Sequence, residues 1–263
     1  MEKIPSRLIM KFGGAALATP DHFDKIADLI INRTNEFQEI VIVVSAMGKT
    51  TDELIELALK VNPNPPQREF DMLITVGERI SMALLAMALN KKKQEAISFT
   101  GSQSGIITTS EHSEAKIIDI KPGRILKSLA DKRLVIVAGF QGVSKEGEIT
   151  TFGRGGSDTT AVALGIALNA KKVEFYKDVP GIFSCDPKQS NDAQHFEKMS
   201  YNEAHSIISK GAKVLHLRAL SLAQSHNIPL HILPFDMSSS NKMGTLIEGN
   251  EERLLQPIYE LVK

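Results

Sequence analysis

Apolar residues follow two rhythms along this chain. Six short runs are apolar and rich in β-branched residues: Arg7 to Lys11, Ile40 to Val44, Ile97 to Phe99, Leu134 to Ala138, Lys172 to Tyr176 and Leu230 to Leu233. Runs of this length and composition predict buried strands. The stretches between them repeat with helical spacing and predict helices over Pro20 to Asn32, Thr51 to Val61, Arg68 to Asn90, Lys121 to Lys132, Ser157 to Ala170 and Asn202 to His226. Strand and helix in alternation imply an α/β fold, a mainly parallel sheet with helices on both sides. Two segments rich in turn formers interrupt the rhythm, Asn62 to Gln67 (NPNPPQ) and Ser144 to Thr150 (SKEGEIT). Glycine and charge mark the second as a hairpin tip. The chain reads as a single domain, 1–263, whose two lobes, 1–145 and 146–263, meet near that tip. Its end, Glu248 to Lys263, is charged and then briefly amphipathic, and predicts a short docked helix.

Composition narrows the partners. With 263 residues, 42% of them hydrophobic, the chain can bury a large core without staples. Lysine plus arginine (31) equals aspartate plus glutamate (31), so no overall field draws it to nucleic acid or to an anionic membrane, and a small-molecule partner is favoured. One cysteine, Cys185, cannot make an internal disulfide, and no spaced Cys/His cluster suggests structural zinc. A reducing cytoplasm is expected. The opening MEKIPSRLIM lacks the apolar core of a leader peptide, and no apolar run is read as approaching the ~20 residues that span a bilayer.

Candidate chemistry sits at strand ends. In RLIMKFGGAAL, Arg7 to Leu17, a strand runs into a glycine pair just after Lys11. Glycines there let backbone amides approach an anion, and the lysine adds a mobile charge suited to phosphoryl oxygens. An ordinary strand-to-helix turn with a solvated lysine fits the same residues. The GKT of VVSAMGKT looks like the end of a P-loop, but Val43 stands where that loop needs its first glycine. What remains is Ser45, Gly48, Thr50 and Thr51 at the end of a buried strand, where open α/β sheets place ligands. The densest cluster is TTFGRGGSDTT, Thr150 to Thr160, ahead of an alanine-rich helix. Gly155 and Gly156 would expose amides at a helix N-terminus, Arg154 could grip a carboxylate, and Asp158 could accept from an ammonium, a combination suited to a zwitterion. It fails as a dinucleotide fingerprint, because Asp158 stands where that pattern needs glycine. Further along, YKDVPGIFSCDPK, Tyr176 to Lys188, could wrap a nucleotide base or be a pair of turns. Glu78, Lys213 and His216 each have a plain structural reading as well.

In order along the chain, KFGG, SAMGKTTDEL, DMLITVGERIS, SFTGSQSGIIT, VAGFQG, GRGGSDTTAVAL, KDVPGIFSCDPK and GAKVLH resemble the aspartate kinases, from about Leu8 to Gly249. The resemblance implies the amino-acid kinase fold, a three-layer αβα sandwich, with the acidic substrate on the N-terminal lobe and ATP, with Mg2+, on the C-terminal lobe. It implies a catalytic set of Lys11, Asp158 and Lys213, with Lys11, Phe12, Gly13 and Gly14 at the phosphates. Thr51, Glu78, Arg154 and Asp158 would hold L-aspartate, with Ser45, Gly155, Gly156 and Ser157 beside them. Tyr176, Lys177, Asp178, Ile182, Phe183, Asp186, Pro187 and Lys188 would form the adenine and ribose loop. An aspartate side chain is already ionised near pH 7, with a reference pKa of about 3.9, so it attacks without a general base. No protein metal ligand is implied, since magnesium bridges ATP oxygens.

The chain departs from the family pattern at Ala15 and Ala16, where hydroxyls usually follow KFGG, and at Lys177, Phe183 and Lys188 in the nucleotide loop. The paired regulatory ACT domains typical of the family are not expected in this chain. A homodimer is expected, with a separate ACT-bearing chain as a further partner, and no feedback inhibition by lysine or threonine in this chain alone. Tight lysine binding in a calorimetric titration would overturn that last expectation. Two rivals stand beside the aspartate kinase reading. One is a kinase of N-acetylglutamate, glutamate or an aspartate-like acid, against which Glu78 and Asp158 argue for an unblocked ammonium. The other is a non-catalytic nucleotide or amino-acid binder, against which the lysine pair argues.

Overall fold

The structure, a computed structural model, describes residues 5–185, 192–212, 214–235, 244–249 and 259–260. Its elements run β1 (Arg7–Phe12), α1 (Pro20–Arg33), β2 (Glu39–Val44), α2 (Thr50–Val61), α3 (Gln67–Ile74), α4 (Val76–Lys91), β3 (Ala96–Phe99), β4 (Ile106–Thr108), β5 (Ile117–Ile120) and α5 (Gly123–Ala130). The second half continues with β6 (Leu134–Ala138), β7 (Gln141–Ser144), β8 (Ile149–Thr151), α6 (Gly156–Ala167), β9 (Lys172–Lys177), β10 (Ile182–Phe183), β11 (His195–Phe196), β12 (Lys198–Met199), α7 (Tyr201–Ser209), α8 (Leu217–Ser225), β13 (Leu230–Pro234) and β14 (Thr245–Ile247).

The six apolar runs are six neighbouring strands of one sheet. Its order is β12-β14-β13-β9-β1-β2-β6-β3, parallel at every pairing except β13 with β14. Because side chains alternate across a strand, β1 serves both helical layers. Leu8, Met10 and Phe12 enter the cluster formed with α1 and α4, whereas Ile9 enters the one formed with α6 and α8. Lys11 shares the face of Ile9. The same alternation places Val173 and Phe175 of β9 towards α6 and Tyr176 on the opposite side.

α6 is buried nearly all round, from Gly156 to Gly165, as a helix without a polar face must be. It lies between the large sheet and a second one, ordered β5-β4-β7-β8. Gly165 permits the close approach: a Cβ there would stand 2.7 Å from Ile228 Cδ1 and 2.8 Å from Val173 Cγ2.

Several expectations need correction. The helix predicted over Arg68 to Asn90 is two, interrupted at Thr75, whose carbonyl accepts a hydrogen bond from Gln141 Nε2 at 3.2 Å. That over Asn202 to His226 is also two, separated around Gly211, whose φ of +109° turns the chain. The hairpin tip is present, with β7 and β8 antiparallel across Ser144 to Ile149. For that reason a lobe boundary at 145/146 cuts a hydrogen-bonded pair, and α6 from the second half packs on β1 and β2 from the first. The stretch 67–91 is apolar and long enough to cross a membrane by length and composition alone, contrary to the sequence reading. It passes because α4 is apolar on two sides, with Leu85 and Leu89 in the core and Val76, Ile80 and Met87 exposed. In the fold α4 packs against α1, β3 and β6 as part of the outer layer. At the chain's end Tyr259 is docked in the core; the rest of the predicted terminal helix falls largely outside the described residues.

Candidate active site

The site forms where β1 and β2 end and α6 begins. β1 delivers Lys11 at its C-terminal end on the α6 face, and α6 presents Asp158 in its first turn. Their charges meet at 2.7 Å between Lys11 Nζ and Asp158 Oδ1, with both side chains under a tenth exposed. Lys177, at the end of neighbouring β9 and on the same face, reaches Asp158 Oδ2 at 3.4 Å. Burial alone would raise the Asp158 pKa, but Lys11 and Lys177 bring it down to about 2. Burial holds the Lys11 ammonium below its ordinary value; Asp158 opposes that and Lys177 adds to it. Two lysines on one buried carboxylate leave an excess of positive charge, which an incoming anion would balance.

Glu78, in the first turn of α4 and only 3% exposed, lines the same site and acts electrostatically on Lys11. Its Oε1 accepts from the Ala46 amide at 3.2 Å, while Oε2 has no protein partner. Burial pushes its pKa up to about 7, against the pull of backbone hydrogen bonds and of Lys11. An unpartnered buried carboxylate oxygen is costly unless a ligand cation completes it.

Between these groups lies a cavity of about 500 Å³. Lys11, Gly14, Ser45, Thr51, Glu78, Arg154, Gly155, Gly156, Ser157 and Asp158 all line it, so every residue expected at the acidic substrate faces one space. Arg154 is exposed on its rim. Gly155 caps α6 with φ of +74°, and a Cβ there would lie 2.1 Å from His216 Cγ, so a side chain is excluded by conformation and by contact. Gly13 and Gly14 form the turn after β1: the Gly13 carbonyl accepts from the Ala16 amide at 3.1 Å, and the Gly14 carbonyl from the Gly48 amide at 3.1 Å.

The nucleotide-loop residues divide. Lys177 lies at the site and Asp178 is exposed just past β9. Phe183 is half-buried, its ring 5.1 Å from that of His195. Tyr176 and Phe12 are core residues: their rings stack at 4.7 Å, and the Tyr176 hydroxyl donates to buried Glu174 Oε2 at 2.7 Å. Both point to the face away from Lys11, so neither ring can meet a ligand there. The Ile182 side chain is also buried, and its amide donates to Thr245 Oγ1 at 2.8 Å. Asp186, Pro187, Lys188 and Lys213 lie outside the described residues.

Sequence reasoning missed Asp71. Fully buried on α3, it accepts from the Thr151 amide at 3.0 Å, Thr151 Oγ1 at 2.7 Å and the Ser113 amide at 3.0 Å, and meets His112 Nδ1 at 3.0 Å. Thr151 and Ser113 both line the cavity, as do Phe70, Ile74 and Phe140, none of them among the expected site residues.

Residues 6–234 match the amino acid kinase family. The chain belongs to that family. This amino acid kinase is 48% identical over 256 residues to the aspartokinase of Corynebacterium glutamicum, covering 97% of the chain and 60% of that relative. Aspartate kinase from Synechocystis superposes with a TM-score of 0.82 at 41% identity, over 94% of this chain and 41% of that one. E. coli aspartokinase III, solved in complex with aspartate and ADP in its R-state, superposes with a TM-score of 0.82 at 25% identity, over 93% of this chain and 65% of that one. The chain thus spans about three fifths of the length of the curated relative it matches.

Proposed function

We propose that this amino acid kinase is an aspartokinase, transferring the γ-phosphoryl group of ATP to the side-chain carboxylate of L-aspartate. One observation carries the reading: a single cavity is lined by the Lys11–Asp158 pair, by buried Glu78 with its unpartnered oxygen, and by exposed Arg154. Glu78 offers Oε2 to the substrate ammonium, Arg154 pairs with a carboxylate, and Lys11 meets the phosphoryl group with the lysine-rich charge around Asp158 behind it. The side-chain carboxylate oxygen forms a bond to Pγ as the bond from Pγ to the β,γ-bridging oxygen breaks. ADP leaves with that electron pair, and no proton need move. Catalysis is then alignment and charge neutralisation. The aspartokinase III complex with aspartate and ADP supports this pair of ligands. Magnesium would arrive chelated to ATP, since both Asp158 oxygens already face lysines. Mg2+ supplies charge neutralisation on the phosphates, and the chain's own residues need only bind the complex.

Hydroxylamine trapping tests the proposal. Incubation with MgATP and L-aspartate should yield the hydroxamate of an acyl phosphate, and N-acetylglutamate should not. Turnover of an acylated acid with none of aspartate would refute it.

A further inference from the structure

The loop that carries Arg154 is held from behind by the chain's far end. Phe152 follows the last residue of β8 and leads into Gly153 and Gly155, with φ of +70° and +74°, so the loop has little stiffness of its own. Arg218, in the first turn of α8, donates from Nη1 to the Phe152 carbonyl at 2.7 Å and from Nη2 to the Ala115 carbonyl at 2.6 Å. The other side of its guanidinium is taken by Glu260: Nε meets Oε1 at 2.5 Å and Nη2 meets Oε2 at 2.6 Å. Oε2 also accepts from the Ile117 amide at 2.7 Å, and the adjacent Tyr259 is 7% exposed, packed in the α6 and α8 cluster. The Arg218 and Glu260 side chains are 23% and 14% exposed, so the pair is mostly desolvated and each charge needs the other.

We propose that Glu260 is a positioning residue. By fixing the Arg218 fork it sets the Phe152 carbonyl, and with it the start of the Gly153–Gly156 turn that aims Arg154 into the cavity. The C-terminal segment thereby tunes affinity for the acidic substrate while leaving the nucleotide side alone. This rests on the reading of Arg154 as a substrate-carboxylate contact.

The test uses Glu260→Gln in the full chain, with two readouts. Amide hydrogen exchange at residues 152–156 should accelerate relative to wild type while exchange in β1 and β2 stays unchanged. The KM for L-aspartate should rise about tenfold, the cost of a small misplacement, with kcat and the KM for ATP within about twofold. Unchanged exchange at 152–156 would overturn the inference. So would a rise in both KM values together with a large fall in Tm, the mark of a merely structural pair. If wild type does not turn over aspartate, the functional reading fails separately and the exchange result still decides the positioning role. Should E260Q not fold, Arg218→Lys, which keeps the charge and loses the fork, is read by the same criteria.

Discussion

Glu78→Gln separates what the buried carboxylate costs the fold from what it does for a ligand. Glu78 is 3% exposed, and burial raises its pKa from 4.5 to about 7. At about 1.4 kcal/mol per pH unit, that interval corresponds to about 3 kcal/mol spent keeping the group ionised above pH 7. An acid whose folded pKa is raised contributes its full stability below 4.5 and loses it as pH climbs through about 7. Glutamine mimics the neutral acid, and its Oε1 can keep the Ala46 amide contact. In urea unfolding without ligand, E78Q should therefore match wild type near pH 4 and exceed it by about 3 kcal/mol at pH 8, with similar m-values. Calorimetric titration of L-aspartate at pH 8 should show the reverse order, because the variant has lost the partner of the substrate ammonium. A stability difference that does not change with pH would refute the assignment of Glu78 as a strained, desolvated carboxylate.

Other outcomes follow from the same geometry. Lys11→Ala should lower kcat by at least ~100-fold with a modest change in aspartate binding, measured by steady-state kinetics and calorimetry. Lys177→Thr removes a positive neighbour that lowers the Lys11 pKa, so any alkaline limb of the kcat profile set by Lys11 should move to higher pH. The same variant leaves Asp158 with one cationic partner, so its pKa should rise and acid unfolding should begin at higher pH, since a depressed carboxylate loses its contribution as pH falls. Gly155→Ala should cost about 1–3 kcal/mol in unfolding experiments from its backbone conformation alone, and a wild-type Tm would contradict the +74° φ.

The core strands were readable because each is a short run dominated by apolar and β-branched residues, a signal that survives without context. The second sheet was not: β4, β7 and β8 read IIT, QGVS and ITT, too short and too polar to show a two-residue period. The cavity's charged residues were legible from glycine-rich strings and family likeness, whereas Asp71 gathers partners 41 to 80 positions away and leaves no local trace. Phe12 and Tyr176 were misplaced for a reason the sequence did contain. Each is one residue from a site lysine in a strand, Lys11 or Lys177, and alternation turns it to the opposite side.

That alternation makes β1 intolerant of a shift in frame. Deleting one residue between Leu8 and Met10 would move Lys11 to the place of Met10 in the hydrocarbon layer under α1 and bring Phe12 to the place of Lys11 beside Asp158. Length in this six-residue strand is as tightly constrained as identity, and the same holds for neighbouring β9, which ends in Lys177.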